Sequence, residues 1–593
     1  MANVSLSAFT LTTMLAFAPL CDFLTSSTLV SPASCSHSLN AQVATPPKRP
    51  VTKQPPAKRP AVTKAEPAAS VVVAPATIVV PADVAPDSTH PYRPGIDVTH
   101  YAFQLTLPRS GSLVDGRATI NVSRRLTVDT LVLDLMKLAV DSVQVGGAAR
   151  AFTRDSATIR VPLLPADGAA LTVGVVYHGE PGDGLIIRET PERGWSAFGD
   201  NWPNRARFWL PTVDHPSDKA TVTWTVTAPA ERAVVANGLQ ISRTLLPNGL
   251  ARTRYEQRQP IPTYLMVIAA ARMVSTTLGR TACGSGEGKT CVPQAVWTFP
   301  ESQSYVPGPF ADAGRMVAFF ARIGGPFPYA QLNHLQSSTR FGGMENATAI
   351  FYSDDAFKRR AVGGQLIAHE TAHQWFGDAV TPRRWQDLWL SEGFASYWAP
   401  LYLRESSGDS VFRVRMREIR DEIIAAPIVA TRPVVDTVGA SAPMTLLNAN
   451  SYQKGAWVLH MLRGDVGDSA FFQGIRAYQQ AFRHGTATTG DLRLTMEKAS
   501  GASLQVFFEQ WLHRPGWAEL DVQWQWNATT RVMSLQVSQG KRFPPYGVAL
   551  VLAARDSSGR EERHTIHLEP TPQQTIVQPL LRIGTPVQVL ADP

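Results

Sequence analysis

Two histidines four residues apart, His369 and His373, flank Glu370 within an apolar run, and a second glutamate, Glu392, follows with 18 residues between it and His373. On a helix of about 3.6 residues per turn, positions four apart share one face, so both imidazoles can grip a single metal ion. Glu392 stands at the start of another apolar, helix-like run, Phe394 to Tyr402, which can fold back beside the first. Two His and one Glu leave a tetrahedral Zn2+ with its fourth position open for water, the catalytic rather than the structural arrangement. Such an ion polarises a carbonyl and acidifies its water. Glu370 adjoins a ligand but points about 100° away around the helix, which suits a general base.

A second motif precedes the first. Phe341-Gly-Gly-Met-Glu-Asn346 ends a strand-like run, and Glu345 lies 24 residues before His369. Glycine lets one backbone approach another, so a peptide can add to such a strand through main-chain hydrogen bonds. Glu345 then offers a fixed negative charge to a protonated α-amino group. A third segment, Ser451-Tyr-Gln-Lys-Gly-Ala456, leads directly into the apolar helical run Trp457, Val458, Met461 and Leu462.

Together these segments resemble the M1 family of zinc aminopeptidases, whose pattern is H-E-x-x-H, 18 residues, then E, with Trp375, Phe376, Gly377 and Trp389 also matching. The resemblance implies zinc ligands His369, His373 and Glu392, one ion per chain, and a general base at Glu370. It implies an edge strand at Gly342, Gly343, Met344, Glu345 and Asn346 that binds substrate beside the metal, and an oxyanion donor at Tyr452. Asn201 to Ala220 resembles the family's P-C-F-D-E-P segment, with Thr212 in place of cysteine. The glutamine found upstream in many relatives is absent, and Asn201 is its nearest substitute. Asp378 and Asp387 are candidates to orient a histidine, set against a plain solvated aspartate at each.

The elements that must carry these residues are legible from periodicity. From 91 to 299 apolar residues alternate, as in Tyr101, Phe103, Leu105, then Ala118, Ile120, Val122, then Val222, Trp224, Val226. Turn signals such as Gly146-Gly147 and Asn237-Gly238 divide them, which predicts an all-β domain. Residues 300 to 516 turn helical, first between Ser302 and Ile323 and later at Phe471 to Gln479 and Thr489 to Ala499. The family resemblance implies a thermolysin-like α/β catalytic domain there. From 517 to 593 short alternating runs return, which predicts a small β-sandwich. The fold class is thus α+β multidomain. The large helical domain that roofs longer M1 relatives has no counterpart, so a more open cleft is expected.

At 593 residues, with 44% hydrophobic and 18% charged residues, the composition is that of a globular protein with several cores. The formal charge of +8 is concentrated in residues 1 to 65, where six Lys or Arg face one Asp, so no nucleic-acid surface is implied. Residues 1 to 41 read as a signal peptide, with no charge before Asp22 and an apolar stretch from Leu6 to Leu20 too short to span a bilayer. Neither Cys21 nor Cys35 follows a good small-residue motif, which argues against a lipoprotein. Residues 42 to 90, rich in Pro and Ala, read as a spacer. Cys283 and Cys291 bracket a Gly-rich tip and suit a short disulfide in an oxidising, exported setting, periplasmic or extracellular.

The expected activity is removal of N-terminal residues from peptides by metal-activated water. The alternatives are a bifunctional aminopeptidase and epoxide hydrolase of the same family, since that branch shares G-G-M-E-N, and a non-catalytic peptide-binding scaffold. Neither the preferred first residue nor the oligomeric state follows from the sequence.

Overall fold

The computed structural model describes residues 91–282 and 291–591. The expected signal peptide and spacer, and the cysteine pairing that needs Cys283, lie outside the described residues. Among the described residues no helix is long and apolar enough to cross a membrane.

The period-two runs become strands. Ile96–Thr106 lies at the centre of an eight-stranded sheet, antiparallel to Val114–Arg124 and parallel to Lys219–Pro229. Its register sets Tyr101 beside Val222, Phe103 beside Trp224 and Leu105 beside Val226, and all six are buried. That is the pattern of a sheet with one face on the core and one towards solvent. Gly146 and Gly147 have φ of +59° and +84°, left-handed values that glycine adopts without strain in a tight turn. A four-stranded sheet, with Gly194–Gly199 and Ile268–Ala271 paired inside it, completes most of this β-rich region.

Next comes a five-stranded sheet in which Gly343–Met344 is the edge strand, antiparallel to Ala349–Ser353. The expected substrate strand is therefore at an edge but only two residues long, with Glu345 and Asn346 beyond its end. Helices Gly364–His373, Trp389–Ser407, Asp409–Ala425 and Gly455–Phe482 follow. The helix expected from Ser302 begins only at Ala313, because Pro307 and Gly308 interrupt the run after the 3-10 turn Pro300–Tyr305. The helical run expected at Phe471 belongs to Gly455–Phe482, whose backbone breaks at Gly467, φ +78°.

At the C-terminal end two three-stranded sheets enclose a separate small core of Met533, Leu535, Val537, Leu550, Leu552 and Ile566 among others. Leu520, Val522, Trp524 and Trp526 alternate as expected along an edge strand, where they are only half-buried. The last strand, Pro586–Ala591, has no counterpart in the sequence reading.

Candidate active site

The helix Gly364–His373, which carries both histidines, ends at the second of them. Beyond it Gly377, φ +112°, turns the chain so tightly that a β-carbon there would stand 2.3 Å from Ser391 Oγ. The turn lets the next helix, Trp389–Ser407, lie against the first with Glu392 in its first turn, where the helix dipole favours a carboxylate. The two Nε2 atoms of His369 and His373 are 3.1 Å apart, and each is 3.4 Å from Glu392 Oε2. Glu392 Oε2 is buried and has no hydrogen-bond partner among the described residues. The two Nε2 atoms and Glu392 Oε2 thus converge on one point. A zinc ion with an N2O set and an open fourth position fits that geometry.

His373 is nearly sealed, at 1% side-chain exposure, while His369 at 19% opens onto a cleft of about 680 Å3. His373 Nδ1 faces the Phe376 carbonyl at 3.0 Å and Ser391 Oγ at 3.1 Å. A backbone carbonyl and a hydroxyl therefore orient this imidazole, not the aspartates considered from the sequence. Asp378 and Asp387 are both buried rather than solvated. Asp378 accepts from Gln374 Nε2 at 2.8 Å, and Asp387 from the amide and hydroxyl of Thr489 at 3.0 and 2.6 Å.

Glu370 and Glu345 complete a second group with His373, their ligand-type atoms all within 4.8 Å of one another. Burial raises the pKa of Glu370 and of Glu345, each is raised further by Glu392, and His373 opposes the effect. Burial also disfavours a charged His373, but the carboxylates of Glu345, Glu392 and Glu370 together outweigh it and hold that imidazole's pKa up. Three acidic side chains, Glu345, Glu370 and Glu392, are thus buried in one cleft, and a bound dication would favour their charged forms.

Gly343 packs directly on Glu370, and a side chain there would collide with its carboxylate. Glu345 is fixed through its backbone, because Gln374 Nε2 donates to its carbonyl at 2.8 Å while Gln374 Oε1 accepts from Thr348 N at 2.9 Å. Gln374 follows His373 immediately, yet no motif reading singled it out. Beneath it, Lys219 Nζ donates to the carbonyls of Asp378, Ala379 and Gly485 at 2.8, 3.0 and 3.0 Å, tying the eight-stranded sheet to the turn after the helix Gly364–His373. Asn201 is not at the cleft; its amide serves the Thr263 and Met266 carbonyls, and its oxygen accepts from Trp209 Nε1.

Tyr452 sits in a π-helical turn, Asn450–Lys454, of the kind that often marks functional sites. Its ring lies nearly parallel to that of His369, centroids 6.1 Å apart, and it lines the cleft. Burial and the charge of Glu392 raise its pKa well above the ordinary value, so it is a neutral hydroxyl donor. The approach depends on two glycines. Gly393 and Gly455 meet so closely that a β-carbon on Gly393 would lie 2.9 Å from Gly455 Cα. Trp202, Phe341 and Arg415 also line the cleft, and none was read as a site residue from the sequence.

Residues 98–265 match the model of the Peptidase M1 N-terminal domain, and residues 312–511 that of the Peptidase family M1 domain. The glutamyl aminopeptidase of Rattus norvegicus is 28% identical over 364 residues, which are 59% of this chain and 38% of the rat protein. The tricorn protease-interacting factor F2 of Thermoplasma acidophilum is 28% identical over 415 residues, 66% of this chain and 50% of that protein. The chain thus spans half or less of the length of these two relatives. An M1 zinc metallopeptidase from Deinococcus radiodurans superposes with a TM-score of 0.62 at 28% identity, covering 71% of this chain and 95% of that one.

Proposed function

Because the chain belongs to peptidase family M1, we propose that it is a zinc aminopeptidase that removes the first residue of peptides carrying a free amine. The supporting observation is the gathering of Glu345, Glu370 and Glu392 with two imidazoles in one cleft beside the edge strand Gly343–Met344. His369, His373 and Glu392 would hold the zinc, which when bound supplies Lewis-acid polarisation of the scissile carbonyl and of water.

The protein's own groups do the rest. The substrate's ammonium pairs with Glu345, and its backbone runs along the edge strand, which fixes the first peptide carbonyl near Glu370 and Tyr452. Water adds to the carbonyl carbon as Glu370 takes its proton. Tyr452 donates a hydrogen bond to the developing oxyanion. Glu370 then passes the proton to the amide nitrogen as the C–N bond breaks, releasing a free amino acid and a shortened peptide. The test is turnover of an aminoacyl-anilide by the zinc-replete enzyme against Glu370→Gln, with zinc measured in both. Zinc retained in the variant while turnover is lost supports this assignment; equal turnover refutes it.

We also propose export from the compartment of synthesis, supported by the uncharged apolar start of the sequence. Fractionation of expressing cells with N-terminal sequencing of the product tests it, and an unprocessed cytosolic product would contradict it.

A further inference from the structure

The two walls of the cleft differ in chemistry. On one, Trp202 meets Phe341 edge-on, with centroids 6.0 Å apart and planes at 90°, and Trp385 at 5.5 Å and 75°. Trp385 packs in turn on Tyr264 at 5.7 Å. Trp202, Phe341 and Met344 all border the cleft, and the last two share a segment with Glu345. Phe341 is not loose. Its neighbour Arg340 is held by Asp200 at 2.9 Å and Asp183 at 2.7 Å, and Arg205 binds the same two aspartates at 2.7 and 3.2 Å.

The other wall comes from helix Asp409–Ala425. There Arg415 is the one lysine or arginine among the described residues lining the cleft, and its Nη1 is shared by Glu418 at 3.0 Å and Glu422 at 2.9 Å. On that wall Arg415 and Glu418 line the cleft one against the other, with Ile419 beside them.

In a peptide the α-carbon that bears the amine also bears the first side chain. If the amine sits at Glu345, the side chain begins within two bonds of it and meets the aromatic wall. A large apolar or aromatic side chain gains burial and edge-to-face contacts there. A carboxylate would be stripped of water beside Glu345, and Arg415, across the cleft, is already paired with Glu418 and Glu422. Resting on the aminopeptidase reading, we propose that Trp202, Phe341 and Met344 form the pocket for the first side chain and select peptides that begin with a large apolar or aromatic residue over those that begin with Asp or Glu.

The experiment compares kcat/KM of the zinc-replete enzyme for Phe-, Leu-, Ala-, Arg- and Glu-anilides, and calorimetric binding of free L-Phe, L-Ala and L-Glu. Phe and Leu are expected to exceed Glu by about 100-fold or more, and L-Phe to bind more tightly than L-Glu. Trp202 is buried, so its truncation risks the fold; Phe341 is half-buried, and Phe341→Ala is the informative variant. It should lower the Phe-to-Ala ratio of kcat/KM about tenfold, a ratio that loss of folded protein does not change. Preference for Glu or Arg, or an unaltered ratio in the variant, overturns the proposal. If no anilide is cleaved yet L-Phe still outbinds L-Glu, the catalytic reading falls and the pocket stands. Cleavage without preference gives the reverse.

Discussion

Gly343 lies directly beneath the carboxylate of Glu370: a β-carbon on it would stand 2.1 Å from Oε1 and 2.5 Å from Cδ. The edge strand and the proposed base are thus in contact, and the glycine serves the placement of the base as much as the approach of a substrate backbone. Gly343→Ala should push Glu370 out of line and lower kcat about 100-fold while the protein still folds. Steady-state kinetics alongside a thermal melt check this; unchanged kcat would show that Glu370 tolerates displacement.

Glu370→Gln keeps the size of the side chain but removes the proton acceptor, and kcat should fall by about 10²–10⁴ with zinc content unchanged. Tyr452→Phe removes one hydroxyl donor, for an expected loss of about 10²–10³. Metal analysis and single-turnover kinetics read both. A Tyr452→Phe enzyme with full activity would remove that residue from the mechanism.

The convergence of His369 and His373 was legible because its signal is local, a four-residue spacing that the helix Gly364–His373 turns into a shared face. The alternating strands were legible for the same reason, with period two becoming the buried faces of Tyr101, Phe103 and Leu105. What holds His373 was not, since the Phe376 carbonyl that faces its Nδ1 has no side-chain signature. Asp378 and Asp387 looked like surface residues because their partners, Gln374 and Thr489, carry no motif, and Thr489 is 102 residues from Asp387. Trp202, Phe341 and Arg415 reach one cleft from separate elements, so only the fold unites them. The sequence reading took Gly343 as room for a substrate backbone, whereas the group packed on it in the structure is Glu370, from another element.

The contact of Gly393 with Gly455 sets how near Glu392 and Tyr452 come. Gly393→Ala would force the two segments apart at their backbones, so a stability loss of about 1–3 kcal/mol is expected together with reduced kcat. Denaturant unfolding and kinetics on the same preparation test this. Loss of stability with full activity would mean that the crossing supports the fold alone.

Lys219 supplies a pH signature. Burial of its ammonium among three carbonyls lowers its pKa from 10.5 to about 7 in the folded protein, with Asp378 opposing the shift. Between those values the unfolded chain binds more protons at this residue than the folded one, so its contribution to stability rises with pH from about 7 to about 10.5 and is flat below. Lys219→Met should remove that rise. Lys454, lowered in the same direction by its own burial, is present in both proteins and cancels in the difference. Melting curves across this range decide it, and parallel curves for the two proteins would contradict the assignment.

In the proposed reaction Glu345 reads a free amine while the zinc site cuts the bond beside it. The most direct test is the rate of cleavage of Leu-anilide against N-acetyl-Leu-anilide by the same zinc-replete preparation. Acetylation removes the charge that pairs with Glu345, and cleavage should fall at least about 1,000-fold, the loss expected when a buried carboxylate is left without its partner. Comparable rates on the two substrates would contradict the account.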